Sequence, residues 1–593
     1  MPTDQRTLDI EVPLLRALRP VAGESTDCFP YLPLEPTGES SVKTLQFVEL
    51  RNDFLSVLVA VDLGGRILEI RDLVNNQAVL ELPKAIEIQP RGRRGASCPQ
   101  GIEWWVGEEV RPTSLAPIDY QIRSEESGET LLMHELIAGA DLSVHASIHL
   151  PHDAARIELT LQVFNRGLAP VPCNQGIRCG WSSAPVQIRD DSVALHDKAR
   201  EVALAFHHDA GLFESTTWRD GVVSLGYAPP GSDFYLPPHQ TLGWTTTITF
   251  GTGLPSLEAH SPGGFLSVTQ SAMAFCPNGQ HEDAKFFLLG ATGELLEAET
   301  DIQPLRVFRA DLIGPAAYPS KIGLRDHEDQ WILSWDRAES PEVRTAPKLV
   351  STKPSERSRR IEAMGKTLPL LDQQVLEVEL QWARKERDLI GATYYIAALD
   401  ACRKQQWAAA MEHLSQAIEA NSADTLAWWL RAVIRRQDPH QDPEENADDL
   451  VNAHYFGPMD PVLRAEAFLS QSMEMGKEPT DFLKSLVADP ESVADVACQL
   501  LSAGLHDQAA RWIDECLRHG EFPNLRYLIA WMHMKITNLE FEAQAHLKAV
   551  VDRPIEAPLP WRALERRAVI KLHDFFPEDP RLRELHGILT ANP

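Results

Sequence analysis

Between about residues 40 and 340, short runs of alternating or β-branched residues, such as 54–61, 156–164 and 245–250, are separated by Gly, Pro, Asn and Asp. This is the period-two pattern of half-buried antiparallel strands, and Asn75-Asn76, residues 229–231 and residues 262–264 supply turn chemistry between them. So many strands predict a sandwich or a barrel. The Pro- and Gly-rich stretch 256–264 interrupts the pattern before new strands at 265–268 and 285–289, which predicts a second, smaller β-sandwich. Residues 344–360 hold Pro347, Pro354, several serines and six basic residues with little apolar content, the composition of a linker.

Beyond residue 370 the chain turns to Ala, Leu, Glu, Gln and Arg with apolar positions three or four apart, as in 389–401 and 407–420, so this half is predicted to be helical. Moving Leu505, Ala509, Trp512, Cys516 and Leu517 forward by 34 positions lands on Leu539, Ala543, His546, Val550 and Val551. A repeat of that length is a helix pair that buries its apolar face only by stacking on the next pair. Trp407, Ala410, Leu414, Ala417 and Ile418 fit the second helix of such a unit, and Ala447, Ala453 and Pro458 fit another. Trp428 and Trp429 point about 100° apart on one helix, so they form no ready stacking platform. The expected organisation is therefore all-β and then all-α: a large sandwich over 1–253, a small sandwich over 254–343, a linker over 344–369 and helical repeats over 370–593.

Composition narrows the partners. With 85 acidic and 56 basic side chains the formal charge is −29, which repels nucleic-acid phosphates and anionic lipid. No stretch reaches the roughly 18 to 20 apolar residues that cross a bilayer as a helix, and the N-terminus lacks the basic start and apolar core of a secretory signal. A cytoplasmic location, without nucleic acid or membrane as partner, is the expectation. The eight cysteines are scattered, with no CxxC pair or metal-ligand spacing, and are expected to be reduced thiols. No phosphate loop, dinucleotide fingerprint or nucleophile elbow is present, and neither a cofactor nor a metal is expected.

The segment from Asn165-Arg166-Gly167 through Cys173-Asn174-Gln175-Gly176-Ile177-Arg178 resembles the stretch of aldose mutarotases that runs from a strand-ending Asn, through prolines, to an asparagine and a catalytic histidine; Arg178 stands at the histidine position. Val223-Ser224-Leu225-Gly226, followed by Tyr235-Leu236-Pro237-Pro238-His239, resembles the segment carrying the mutarotase catalytic glutamate, where this chain has Gly226. Sugar ring opening needs a base and an acid, and arginine cannot serve as a general acid near neutral pH. The resemblance thus implies a mutarotase-like sandwich and carbohydrate affinity without mutarotase activity. The whole layout resembles a family of bacterial proteins of undetermined function that join such a sandwich to tetratricopeptide-like repeats. Leu63-Gly64-Gly65-Arg66-Ile67 and Gly101-Ile102-Glu103-Trp104 match its recurring motifs, with Val110-Arg111-Pro112-Thr113 where that family has His-Arg-Pro-Thr.

Read as residues alone, Gly64 and Gly65 suit a tight turn, leaving Arg66 as a possible ligand contact. Glu103 beside Trp104 and Trp105 can pair hydrogen bonding with stacking on a pyranose face, and strand alternation puts Glu103 and Trp105 on one side and Trp104 on the other. Glu103 is the candidate catalytic acid or base, and Trp104, Trp105, Arg111, Arg178 and Arg66 are the candidate sugar contacts. A glycoside hydrolase needs a second carboxylate, for which Asp119, Asp220 and Asp233 are open choices. His145 and His149 lie four strand residues apart, about 13 Å, too far to share one metal. His207, His208 and Asp209 suit a wet loop, while Arg91, Arg93 and Arg94 would favour an anionic sugar if they folded over the same pocket. The leading expectation is a carbohydrate-binding or carbohydrate-active protein, glycoside hydrolase-like if catalytic. Its rival is a non-enzymatic scaffold that holds a protein partner through the helical repeats.

Overall fold

The computed structural model describes residues 4–338 and 390–592, apart from 108–109, 168–169, 184, 190, 209–212, 228–234, 291–294 and 314–318 in the first stretch and 438–442, 467–468, 470–488 and 556–557 in the second. The expected linker 344–369, the turn at 229–231, Asp209 and Asp233 lie outside the described residues.

The β half is built on two large antiparallel sheets that face each other. In the first, the strands run in space from Asp4–Ala17 through Leu34–Arg51, Leu55–Ala60, Arg66–Asp72, Ile102–Val106, Gln175–Gly180 and Val222–Tyr227 to Phe213–Arg219. The second runs from Gln187–Ile188 through Ser192–Asp197, Val202–His208, Thr241–Thr252, Arg156–Asn165, Leu142–Pro151 and Gly128–Ile137 to Asp119–Glu125. Alternation decides what lies between them: Ile157, Leu159, Leu161 and Val163 of one strand meet Ile102, Trp104 and Val106 of another in a single apolar core. The outer face of the first sheet carries a further layer, where Ile86 and Cys98 of the segment between strands pack on Leu58, Ala60 and Leu68.

Two four-stranded sheets form the small sandwich. Ala259–Ser261, Gly264–Val268, Ala272–Pro277 and Phe308–Asp311 make one; Leu295–Ile302, His281–Leu289, Lys321–Arg325 and Trp331–Asp336 make the other. Leu266, Phe275, Phe286, Ile322 and Leu324 fill the space between. The hairpin at residues 262–264 closes on Gly264, whose φ of +155° and approach to the Cys276 carbonyl leave no room for a Cβ.

The described residues from 390 onward are helical, joined by turns. In Trp407–Ala420 the buried residues are Ala410, Leu414, Ala417 and Ile418, and in His506–His519 they are Ala509, Trp512, Ile513 and Cys516: one apolar stripe per helix, with alanines allowing close approach. The 34-residue shift maps Ala509 onto buried Ala543 and Cys516 onto buried Val550, whereas Leu539 is exposed at the start of its helix. Trp429 is core, while Trp428 donates from Nε1 to the Ser422 carbonyl and stacks under Arg431.

The two halves are bolted together. Leu32 and Phe164 of the β half belong to the helical core, and Arg166, fully buried, donates to Asp495 at 2.6 Å and pairs with Asp460 at 3.4 Å. His239 holds Asp424 at 2.7 Å and accepts at its carbonyl from Asn421; Arg464 reaches back to Asp119. Burial pushes the Asp460 carboxyl upward, and Arg166 beside it pulls in the opposite direction. At the other end the Thr26 N–H donates to the Asn592 side-chain oxygen and the Leu559 N–H to the Pro30 carbonyl, laying the N-terminal segment on the last helices.

Candidate functional site

The strand Ile102–Val106 pairs along its length with Gln175–Gly180, so Glu103 faces Arg178 and Trp105 faces Gly176. On its other edge it meets Arg66–Asp72 through one pair only, Ile67 with Ile102, and the two strands then splay apart. Guanidinium groups fill the gap. Arg66 donates to the carbonyls of Leu63, Cys98, Gln100 and Ser114 and to Glu103 at 2.8 Å. Arg111 donates to the carbonyls of Trp104 and Gly64, binds Glu135, and lies 3.5 Å over the Trp104 ring. Buried carbonyls that lose a strand partner must find another donor, and these two arginines supply it. The turn glycine Gly64, at φ +67°, admits the Arg111 guanidinium where a Cβ would stand 2.9 Å from it.

Glu103 is 2% exposed and shares its carboxylate among Arg66, Arg178 at 3.5 Å and Arg111 at 3.5 Å. Such a group acts first as an anchor for three cations. Trp104 lies in the core between the sheets, and Glu103 and Trp105 point to the opposite face. On that face the strand Gln175–Gly180 presents Gly176 and Arg178, with Gly226 and Ser224 beside them on the next strand, and Asn174 immediately precedes it. Trp105 lies against Gly176: a Cβ there would come within 2.7 Å of the indole Cζ2 and would also collide with the Leu225 carbonyl.

Two buried polar atoms here, Trp105 Nε1 and Asn174 Oδ1, have no hydrogen bond among the described residues, whereas Glu103 Oε1 is met only by Arg111 at 3.5 Å. Unmade hydrogen bonds of buried groups each cost about 1–3 kcal/mol, so a cluster of them marks a place where water or ligand is held. Asn174 and Gly176 stood in the segment read for its likeness to mutarotases, but only Arg178 was singled out there; the glycine opposite a tryptophan was the available signal.

The remaining candidates fall elsewhere. Asp119 is taken by Arg464, and Asp220, exposed, by Arg91 and Arg219. Arg91, Arg93 and Arg94 do not gather as an anion grip: Arg91 ties down Asp220, Arg93 reaches the Asp27 carbonyl, and Arg94 binds the Leu32 and Pro112 carbonyls. His145 faces His134 across the strand pair with ring centroids 4.7 Å apart, and burial pushes His145 down to about 3; His149 bonds Thr130. His207 bonds Thr249 and lies beside His260 in a packed contact with the small sandwich, and His208 packs on Tyr227. These two are enclosed rather than set in a wet loop. Among the described residues no group of three or more His, Cys, Asp or Glu is arranged to hold a metal ion, and no helix is long and apolar enough to cross a membrane.

Residues 24–205 match the family model of a domain of unknown function, DUF5107. That span holds Arg66, Glu103, Trp105, Arg111 and Arg178 together. Among solved structures the chain is similar to a TPR-domain-containing protein from Parabacteroides distasonis, at 13% identity over 97% of this chain and 96% of that one, with a TM-score of 0.32. It is also similar to a galactose mutarotase-related enzyme from Lactobacillus acidophilus, at 9% identity over 35% of this chain and 97% of the other, TM-score 0.25. A putative mutarotase from Salmonella typhimurium matches at 10% identity over 40% and 97%, TM-score 0.25.

Proposed function

We propose that the chain binds a carbohydrate on the outer face of its first sheet, between Asn174 and Arg178 and against the indole of Trp105. The observation that carries this reading is a pair of buried groups without a hydrogen bond among the described residues, the N–H of Trp105, which lies opposite Gly176, and the amide oxygen of Asn174, two residues before that glycine. One is a donor and the other an acceptor, and a sugar hydroxyl satisfies both in turn. The indole adds an apolar plane for the C–H face of a pyranose. Glu103 holds Arg178 in place from the facing strand position, and Arg66 and Arg111 hold Glu103. The described candidates for a second carboxylate are engaged in other ion pairs, so the proposal is one of binding, and no bond cleavage is assigned.

Calorimetric titration with a panel of monosaccharides and disaccharides tests it. Trp105→Phe keeps a ring on Gly176 and removes only the N–H, and Asn174→Ala removes the acceptor. Each is expected to weaken binding about tenfold, the worth of one hydrogen bond, with the melting temperature retained. Wild-type affinity in both variants, or no sugar bound by the unaltered chain, overturns the site.

A further inference from the structure

The small sandwich exposes a second indole that nothing above has used. Trp331 opens the last strand of the sheet formed by Leu295–Ile302, His281–Leu289, Lys321–Arg325 and Trp331–Asp336, and it is half exposed. The register puts Phe287, Glu297 and Gly323 in one row across this sheet, and Lys285, Glu299, Arg325 and Trp331 in the next. Phe286, Leu288, Ile322 and Leu324 take the inner face, so Phe287, Gly323 and Arg325 look outward. Gly323 makes room for the ring: a Cβ there would come within 2.9 Å of Trp331 Cη2. Phe287 stands 6.2 Å away at 63°, and the Arg325 guanidinium lies 4.0 Å from the indole centroid. Leu295, also exposed, extends the apolar strip along the same face.

The chemistry of this face selects its occupant. Lys285, Lys321 and Arg325 stand among Glu297, Glu299, Asp336 and Asp329, the last paired with Arg325 at 3.2 Å, so the face mixes both signs of charge. A polyanion gains nothing from such a surface on a chain whose net charge is −29. Aromatic planes alternating with both donors and acceptors on a flat sheet instead match a neutral pyranose chain, which offers C–H faces to the rings and hydroxyls to the charged groups. Arg325 Nε is buried without a hydrogen-bond partner among the described residues, while its Nη1 pairs with Asp329 at 3.2 Å.

We infer that the outer face of the small sandwich is a docking platform for a neutral polysaccharide, with Trp331 and Phe287 as its stacking surfaces and Arg325 as its principal donor. The open sheet favours internal stretches of a polymer, whereas the enclosed first-sheet site takes a small sugar. The inference stands independently of that first site.

Affinity electrophoresis of the full chain in gels containing mixed-linkage β-glucan, xylan, galactomannan or glycogen tests it. At least one polymer is expected to retard the chain, and Trp331→Ala to weaken retardation about tenfold. Phe541→Ala, which removes an exposed aromatic of the helical half, should leave it unchanged. No retardation in any of the four gels, or equal retardation of Trp331→Ala, overturns the platform. Retardation lost in Trp105→Phe but kept in Trp331→Ala also overturns it, by placing the polymer on the first sheet. Conversely, loss of small-sugar binding in Trp105→Phe with polymer retardation intact leaves the platform standing.

Discussion

An arginine over an indole recurs in this molecule, and two instances have opposite consequences. Arg111 lies over Trp104 at 3.5 Å in the closed rim of the large sandwich, and Arg325 lies over Trp331 at 4.0 Å on the open face of the small one. Arg111 is fully buried and spends its donors on two backbone carbonyls and Glu135, because the neighbouring strands have parted and left those carbonyls bare. Arg325 is about one-third exposed, and its ion partner Asp329 is mostly in water. A cation on an indole is therefore a plug in one setting and a surface for recognition in the other; desolvation and carbonyl supply decide which.

Truncating the two arginines separates the cases most sharply. Arg111→Ala leaves Glu103 and Glu135 short of a buried counter-charge and should cost about 3–5 kcal/mol in chemical denaturation, whereas Arg325→Ala should cost less than about 1 kcal/mol. Equal costs would erase the distinction. A smaller effect comes from acid. His207 sits where the large sandwich meets the small one, and burial, the leading cause, holds it down to about 4 from the usual 6.5. Its uncharged form is thus favoured on folding, so its stabilisation is whole above pH 6.5 and is lost as pH falls toward 4, on the order of 3 kcal/mol in all. His260 beside it is shifted in the same direction. Melting temperatures of the wild type should fall over this range, and those of His207→Gln should fall less; a parallel decline in both would remove His207 as the cause. The smallest change is expected for Trp331→Ala, within about 1 kcal/mol of wild-type stability, since a half-exposed ring adds little to the core. A large loss there would make Trp331 a structural residue after all.

Periodicity made much of this legible. Alternation alone assigns Trp104 to one face and Glu103 with Trp105 to the other, and the structure has them so. The small and apolar positions of the helical repeat, Ala509, Trp512 and Ala543, are buried. Arg66 shows where such reading stops: its acceptors are backbone carbonyls at four separate places in the chain, and carbonyls carry no side-chain signature. Arg166 is a similar case, sitting in a segment read for its likeness to mutarotases while its partner Asp495 lies 329 residues away. Trp331 gave no signal because the register breaks between Leu324 and Arg325, its partner, so alternation along the strand does not carry to it.

The bolt formed by Arg166 with Asp460 and Asp495, and by His239 with Asp424, bears on how the molecule can be taken apart. Cutting the chain between strands and helices would leave the aspartates on one fragment and their arginine and histidine partners on the other, each group buried in the intact chain. Neither fragment would then report faithfully on what the intact protein does. A ligand taken up by the strands and a protein held by the helices would share these buried contacts, so assays of either belong on the undivided chain.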